Sequence, residues 1–183
     1  MAAHHIPNPA DAERLRHELL QVTERDLVEL RVWVPVTVVE MERVLGARLA
    51  VKLVNVWPGV VLPVPVSESS HPSGISRRAM LIAVLGDVDA AALCAAWGGE
   101  VLVLPVMRSM LREKRQRWIH REYLALTGDP QHQVSQTRAA MLLSQRLGAA
   151  GIPMTTRQIV NAIQRQAGDD PAHRDQITLF QNL

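Results

Sequence analysis

Residues 44–66, VLGARLAVKLVNVWPGVVLPVPV, set above residues 84–106, VLGDVDAAALCAAWGGEVLVLPV, agree at eleven of 23 ungapped positions. The matches include Trp57 with Trp97, Gly46 with Gly86, Gly59 with Gly99 and Pro65 with Pro105. Self-similarity at a forty-residue period marks a duplicated supersecondary unit that cannot bury its apolar face alone. Each copy reads as V-L-G, a short helix closing on W-x-G, and a β-branched strand ending in P-V. In the second copy Asp87 or Asp89 is expected to cap a helix Ala90–Trp97, Gly98 and Gly99 to stop it, and Glu100–Leu104 to form the strand. The first copy repeats this with Trp57-Pro58-Gly59 and Val60–Val64. Apolar segments lie upstream at Val36–Arg43 and Ser76–Ala83, and the Ser/Pro-rich stretch Ser67–Gly74 joins the copies. A lone short strand leaves backbone groups unpaired. The two strands are therefore expected to pair about a pseudo-twofold axis, within the chain or with a second chain, with helices on one face.

The rest of the chain fits around this unit. With 183 residues, 48% hydrophobic but only 3% aromatic, it can bury one ordinary core or two small ones, and that core must be aliphatic. The apolar fraction excludes a mostly disordered chain. No apolar run approaches the ~20 residues of a membrane span, and Met1–Ala10 lacks the apolar stretch of a signal peptide. The single Cys94, in an Ala-rich segment, excludes a disulfide scaffold or a cysteine zinc site and reads as a core residue. These features point to a cytoplasmic protein. There is no G-x-G-x-x-G after a strand and no Walker phosphate loop, and the seven histidines are scattered. A non-enzymatic protein without cofactor or metal is expected.

Charge divides the chain. Residues 1–106 carry nine Arg/Lys and twelve Asp/Glu, whereas residues 107–167 carry ten Arg/Lys and three Asp/Glu, a net charge of +7. No acidic residue occurs between Pro130 and Ala167. All but two of the twenty cations are Arg, whose planar fork suits phosphate. Such a block is the electrostatic footprint of a nucleic-acid binder.

Within the block, Met107–Leu126 has helical spacing, with Met107, Leu111, Trp118 and Ala125 on one stripe. Arg108, Arg112 and Arg115 run along one flank as phosphate contacts, and Lys114, Arg117 and Arg121 along another. Gln136–Gly148 is a second helix with Ala139, Leu142, Leu143 and Leu147 inward and Arg138 near its start. Gly151 and Pro153 force a turn, and Thr155 or Thr156 caps a third helix, Arg157–Gln166. There Ile159, Val160 and Ile163 point inward and Arg157, Gln158, Asn161, Gln164 and Arg165 outward. This is a helix-turn-helix pattern with a linking loop longer than the usual three or four residues. Arg can read guanine and Gln or Asn adenine, while Thr155, Thr156 and Arg138 suit phosphates.

The stretch Leu85–Pro105, LGDVDAAALCAAWGGEVLVLP, resembles the dimerisation unit of phage middle-operon transcription activators, the Mor/C family. There a helix ends in a di-glycine and a strand in proline, and an Arg-rich helix and a helix-turn-helix follow, as Arg112–Tyr123 and Ala139–Gln166 do here. The resemblance spans roughly residues 80–166. It implies operator binding and activation of RNA polymerase, with Thr156, Arg157, Gln158 and Asn161 at the start of the recognition helix. The family has one helix–strand unit per chain and pairs strands between subunits, whereas this chain carries two. Its polar and aromatic strand positions are Val101 and Val103 here.

Two terminal segments remain. Ala12–Arg31 reads as one amphipathic helix with Leu15, Leu19, Val22 and Leu30 on its apolar side. Near the C-terminus, Gln176-Ile177-Thr178-Leu179-Phe180 resembles the bacterial sliding-clamp-binding pentapeptide, with Gln176 orienting and Leu179 and Phe180 entering an apolar pocket. The expected fold is mostly α with a small β component. An N-terminal helix (1–35) precedes a tandem helix–strand domain (36–106), a basic helix-turn-helix domain (107–167) and a tail (168–183). The expected function is a sequence-specific double-stranded DNA-binding transcriptional regulator of a phage or mobile element, acting as a homodimer. The alternatives are a clamp-tethered accessory factor in replication, repair or transposition, and a structural or assembly protein.

Overall fold

In a computed structural model, residues 8–67, 71–128 and 134–169 are described. The fold is mostly α with one small antiparallel sheet. Two compact units form, Val22–Met110 being one and Met1–Gln21 with Leu111–Leu183 the other.

The duplication builds the first unit. Copy one gives helix α3 (Val36–Leu45), helix α4 (Ala47–Val56) and strand β1 (Val61–Pro63); copy two gives α5 (Pro72–Leu85), α6 (Asp87–Trp97) and β2 (Val101–Val103). The strands pair antiparallel in the register Val61 with Val103, Leu62 with Leu102 and Pro63 with Val101. Leu62 and Leu102 are equivalent residues of the repeat, so the expected pseudo-twofold axis passes between them. The flanking bonds obey it: Val64 N–H donates to Glu100 O and Leu104 N–H to Val60 O, both at 2.9 Å. These bonded positions alternate with the non-bonded pairs 61/103 and 63/101. Pro63 therefore removes no bond from the ladder.

Gly46 and Gly86 join the two helix pairs through the same backbone conformation. Each is at once the last cap of one helix and the first of the next, with φ/ψ of 83/159° and 89/163°. That region is open essentially to glycine alone. Gly46 N–H closes on Glu42 O, and its own O accepts from Ala50 N–H; Gly86 does the same with Ile82 and Ala90. Equivalent residues then meet in one core: Met41 and Leu81, Ala50 and Ala90, Leu53 and Leu93, Val54 and Cys94, Leu62 and Leu102, Val64 and Leu104 are all buried. Burial pushes the Cys94 thiol pKa up, as suits a core residue.

Three expectations change in this unit. The N-terminal segment is not one helix but α1 (Pro9–Leu20) and α2 (Glu24–Glu29), followed by a 3₁₀ turn at Arg31–Trp33. Thr23 interrupts it by starting a new helix. Asp26 Oδ2 accepts Thr23 N–H at 2.7 Å while Thr23 Oγ accepts Asp26 N–H at 3.2 Å, a reciprocal cap. The Asn55 side chain fixes the break by bonding both Val22 N–H and Val22 O. Neither Asp87 nor Asp89 caps α6 by a side-chain bond, since Gly86 holds the cap position. The joining stretch is also shorter than its composition suggests, because α5 starts at Pro72 under a His71 cap.

The second unit packs α1 with α7 (Arg108–Thr127), α8 (Gln136–Ala149) and α9 (Thr156–Asp169). Its core holds Leu19, Trp118, Ile119, Tyr123, Leu143, Leu147, Ile152, Ile159 and Ile163. The apolar stripe of α7 is shifted from the expected one. Met107 is buried but precedes the helix at φ +54°, and Ala125 is exposed; Trp118, Ile119 and Tyr123 carry the packing in this unit, while Met110 is buried in the other.

Candidate nucleic-acid interface

The turn between α8 and α9 is six residues long and bonded almost throughout. Ala150 ends α8, and Gly151 follows at φ +73°, a conformation that favours glycine. Ile152 N–H then returns to Leu147 O at 2.9 Å, and Gly151 N–H to Gly148 O at 3.0 Å. This is the Schellman closure, and its usual apolar contact is present because Leu147 and Ile152 are both buried. Beyond Pro153, Ser144 Oγ donates to Met154 O at 2.6 Å. Thr155 then caps α9: its Oγ accepts Gln158 N–H at 3.2 Å, and Gln158 Oε1 accepts Thr155 N–H at 2.8 Å. These bonds fix where α9 starts.

Helix α9 buries Ile159, Ala162 and Ile163. On its other side Arg157, Asn161 and Arg165 are exposed, with Gln164 half-buried at the margin. These positions recur at i, i+4 and i+7/i+8 and form one outward stripe. Thr156, half-buried, opens the helix. Gln158 is exposed too, and in this structure it is engaged in the cap. Its amide oxygen is committed to Thr155, and a two-bond contact with adenine needs that oxygen as well as the amide nitrogen. The signal was in the sequence as T-x-x-Q, a capping box.

The cations divide by what they touch. Arg112 and Arg138 are exposed, the latter in the first turn of α8 beside its Ser135 cap. Arg108 is exposed too, in the Val22–Met110 unit. Arg115 is less accessible than these. It is half-buried, its Nε has no hydrogen-bond partner among the described residues, and burial lowers its pKa. The flank Lys114, Arg117 and Arg121 is used within the protein. Lys114 Nζ donates to Gln21 O at 2.9 Å, Arg117 Nε pairs with Glu113 at 2.9 Å, and Arg121 faces Glu18 at 3.6 Å. Gln166 Nε2 also reaches Glu113, at 3.0 Å, tying α9 to α7. Arg146 joins α8 to α7, lying 5.6 Å over the Trp118 ring while pairing with Glu122 at 2.8 Å.

Asp89 has a role not read from the sequence. It is buried at the position equivalent to Leu49, and it accepts both guanidinium nitrogens of Arg48, one at 3.0 Å, and Lys52 Nζ at 3.3 Å. Arg48 holds its carboxyl below the usual range, with Lys52 adding to this against the burial. The tail residues Gln176, Leu179 and Phe180 lie outside the described residues. Among the described residues no helix is long and apolar enough to cross a membrane. Comparison with protein families, curated proteins and solved structures finds no match to this chain.

Proposed function

We propose that this chain is a sequence-specific double-stranded DNA-binding regulator of transcription, with α9 as its recognition helix. The observation that carries the reading is the stripe Arg157, Asn161, Gln164 and Arg165, set outward over a packed apolar face at the end of a fixed turn. Arg157 offers a fork to guanine and Asn161 a donor–acceptor pair to adenine. Thr156, Arg138 and Arg112 supply phosphate contacts that set register without reading sequence. From Val134 to Gln166 no carboxylate opposes the approach of DNA. The resemblance to middle-operon activators supports RNA polymerase as the partner through which a bound regulator would act.

The test is a pair of titrations, one on DNA selected from random fragments and one on scrambled DNA. Asn161→Ala should lose about 1–3 kcal/mol on the selected site and little on the scrambled one. Arg112→Ala should weaken both alike and reduce the salt slope by about one. Equal losses on both DNAs for Asn161→Ala would remove α9 as the reader.

A further inference from the structure

Two segments from opposite ends of the Val22–Met110 unit meet around an open groove of about 670 Å³. One is Val32–Pro35, leading from the 3₁₀ turn into α3; the other is Val106–Ser109, the entry to α7. Val34 and Met107 are buried beneath it, while Val32, Trp33 and Val106 stand 91, 40 and 42% exposed. Met107 holds its place at φ +54°, a left-handed conformation that costs a non-glycine residue energy and that clusters at ligand sites. Among the described residues that line the groove, Arg108 carries the only charge, and it bonds to no described residue.

We propose that this groove binds a small aromatic carboxylate, its ring system against Trp33, Val32 and Val106 and its carboxylate at Arg108. Size, charge and lining select that ligand. The volume lies within the ~300–1,000 Å³ of small-molecule sites, which pair apolar walls with few polar groups. The charge in the lining is single and positive, which complements one anionic group, and the guanidinium fork matches a carboxylate. Arg108 and Ser109 are also the first two residues of the 20-residue helix α7, whose unpaired N–H groups and dipole favour a negative charge at the same place. The half-exposed Trp33 ring offers a planar partner the stacking that an alkyl chain lacks. The described lining includes neither β1 nor β2, and Pro35 has no N–H, so an extended peptide finds no ladder to join.

Exposure sets the strength. Arg108 is open to water, so its pair with a carboxylate is worth a few-fold in affinity, and the helix start adds a similar factor. A ligand of about thirteen heavy atoms in an open site then binds at roughly 0.1–1 mM. The groove lies in Val22–Met110 and the recognition helix α9 in the other unit, so the ligand is an effector and not a competitor for the base-reading residues.

Ligand-observed NMR titration of the full chain without DNA tests this, so the result is independent of the DNA-binding reading. The probes are naphthoate, the uncharged naphthalenemethanol and octanoate. Naphthoate should bind about three- to tenfold more tightly than the alcohol, and more tightly than octanoate. Arg108→Gln, at an exposed position that folding does not depend on, should bring naphthoate down to the alcohol and leave the alcohol unchanged. Trp33→Leu should bring naphthoate down toward octanoate. Arg77→Gln removes a charge from α5 of the same unit, outside the lining, and should leave all three probes unchanged. No binding at concentrations well above the expected constant, an alcohol bound as tightly as naphthoate, a preference for naphthoate that survives Arg108→Gln or is lost through Arg77→Gln, or tighter binding of octanoate would overturn the proposal.

Discussion

Replacing Gln158 separates holding the recognition helix from reading DNA with it. In the structure its amide oxygen accepts from Thr155 N–H at 2.8 Å and Thr155 Oγ at 3.2 Å. Both bonds are exposed, so their net worth is modest, about 0.5–1 kcal/mol for Gln158→Ala. At ~4–8 °C per kcal/mol for a unit of this size, the melting temperature should fall by about 2–8 °C. Losing the reciprocal cap frays the turn that carries Thr156 and Arg157, so DNA affinity should fall slightly on both DNAs, and by a few tenths of a kcal/mol more on the selected one, where Arg157 meets a base. Gln158→Glu keeps the acceptor and places a negative charge on the helix N-terminus, which is worth about 0.3–1 kcal/mol. Its stability should therefore hold or rise while both DNA affinities fall, because the carboxylate faces phosphate. Calorimetry and fluorescence anisotropy on both DNAs measure these quantities. If Gln158→Ala left the melting temperature unchanged and lost about 1–3 kcal/mol on the selected DNA alone, Gln158 would be a base reader and the capping argument would be refuted.

Two further outcomes follow from the first unit. Gly86→Ala meets no atom within 4 Å, so its cost is backbone strain alone, about 1–3 kcal/mol by denaturant titration; Gly46→Ala should match it, and a gain in stability at either would contradict the assigned φ/ψ. Asp89→Asn should cost about 1–2 kcal/mol, less than a fully buried pair, because Arg48 is 65% exposed and stays hydrated. Since Asp89 has a depressed folded pKa, the wild-type advantage should be constant above about pH 5 and shrink as pH falls below ~3.9; melting curves showing it grow in acid would reverse the assignment.

Much of this architecture was legible because its cause is repeated in the sequence. The V-L-G and W-x-G pairs placed both strands and implied their pairing, and the spacing of Ile159 and Ile163 gave the buried side of α9. What was missed turned on competition between partners for one residue. Asp89 resembles an N-cap by position, but Arg48 and Lys52, some forty residues earlier, bind it more strongly. Gln158 keeps the outward angle of a reader, and its bonds to Thr155 were the part not read from the spacing. Ala12–Arg31 keeps an apolar periodicity, yet the local bonds of Thr23 and Asp26 divide it. Arg115 lies about 60° around α7 from Arg112, and that offset is enough to leave it half-buried while Arg112 is exposed.

Joining both halves of the ribbon in one chain also frees them to differ. In a pair of identical chains, any substitution appears on both sides of the axis, so an acid at the position of Leu49 would bring its twin and require two sets of cations. Here the position of Leu49 stays apolar while its equivalent is Asp89, and Arg48 and Lys52 answer it where the other copy has Val88 and Ala92. Closing the intervening loop costs an entropy that grows only with the logarithm of its length. The ribbon consequently forms at any dilution, and each copy can accumulate changes that a symmetric assembly would have to accept twice.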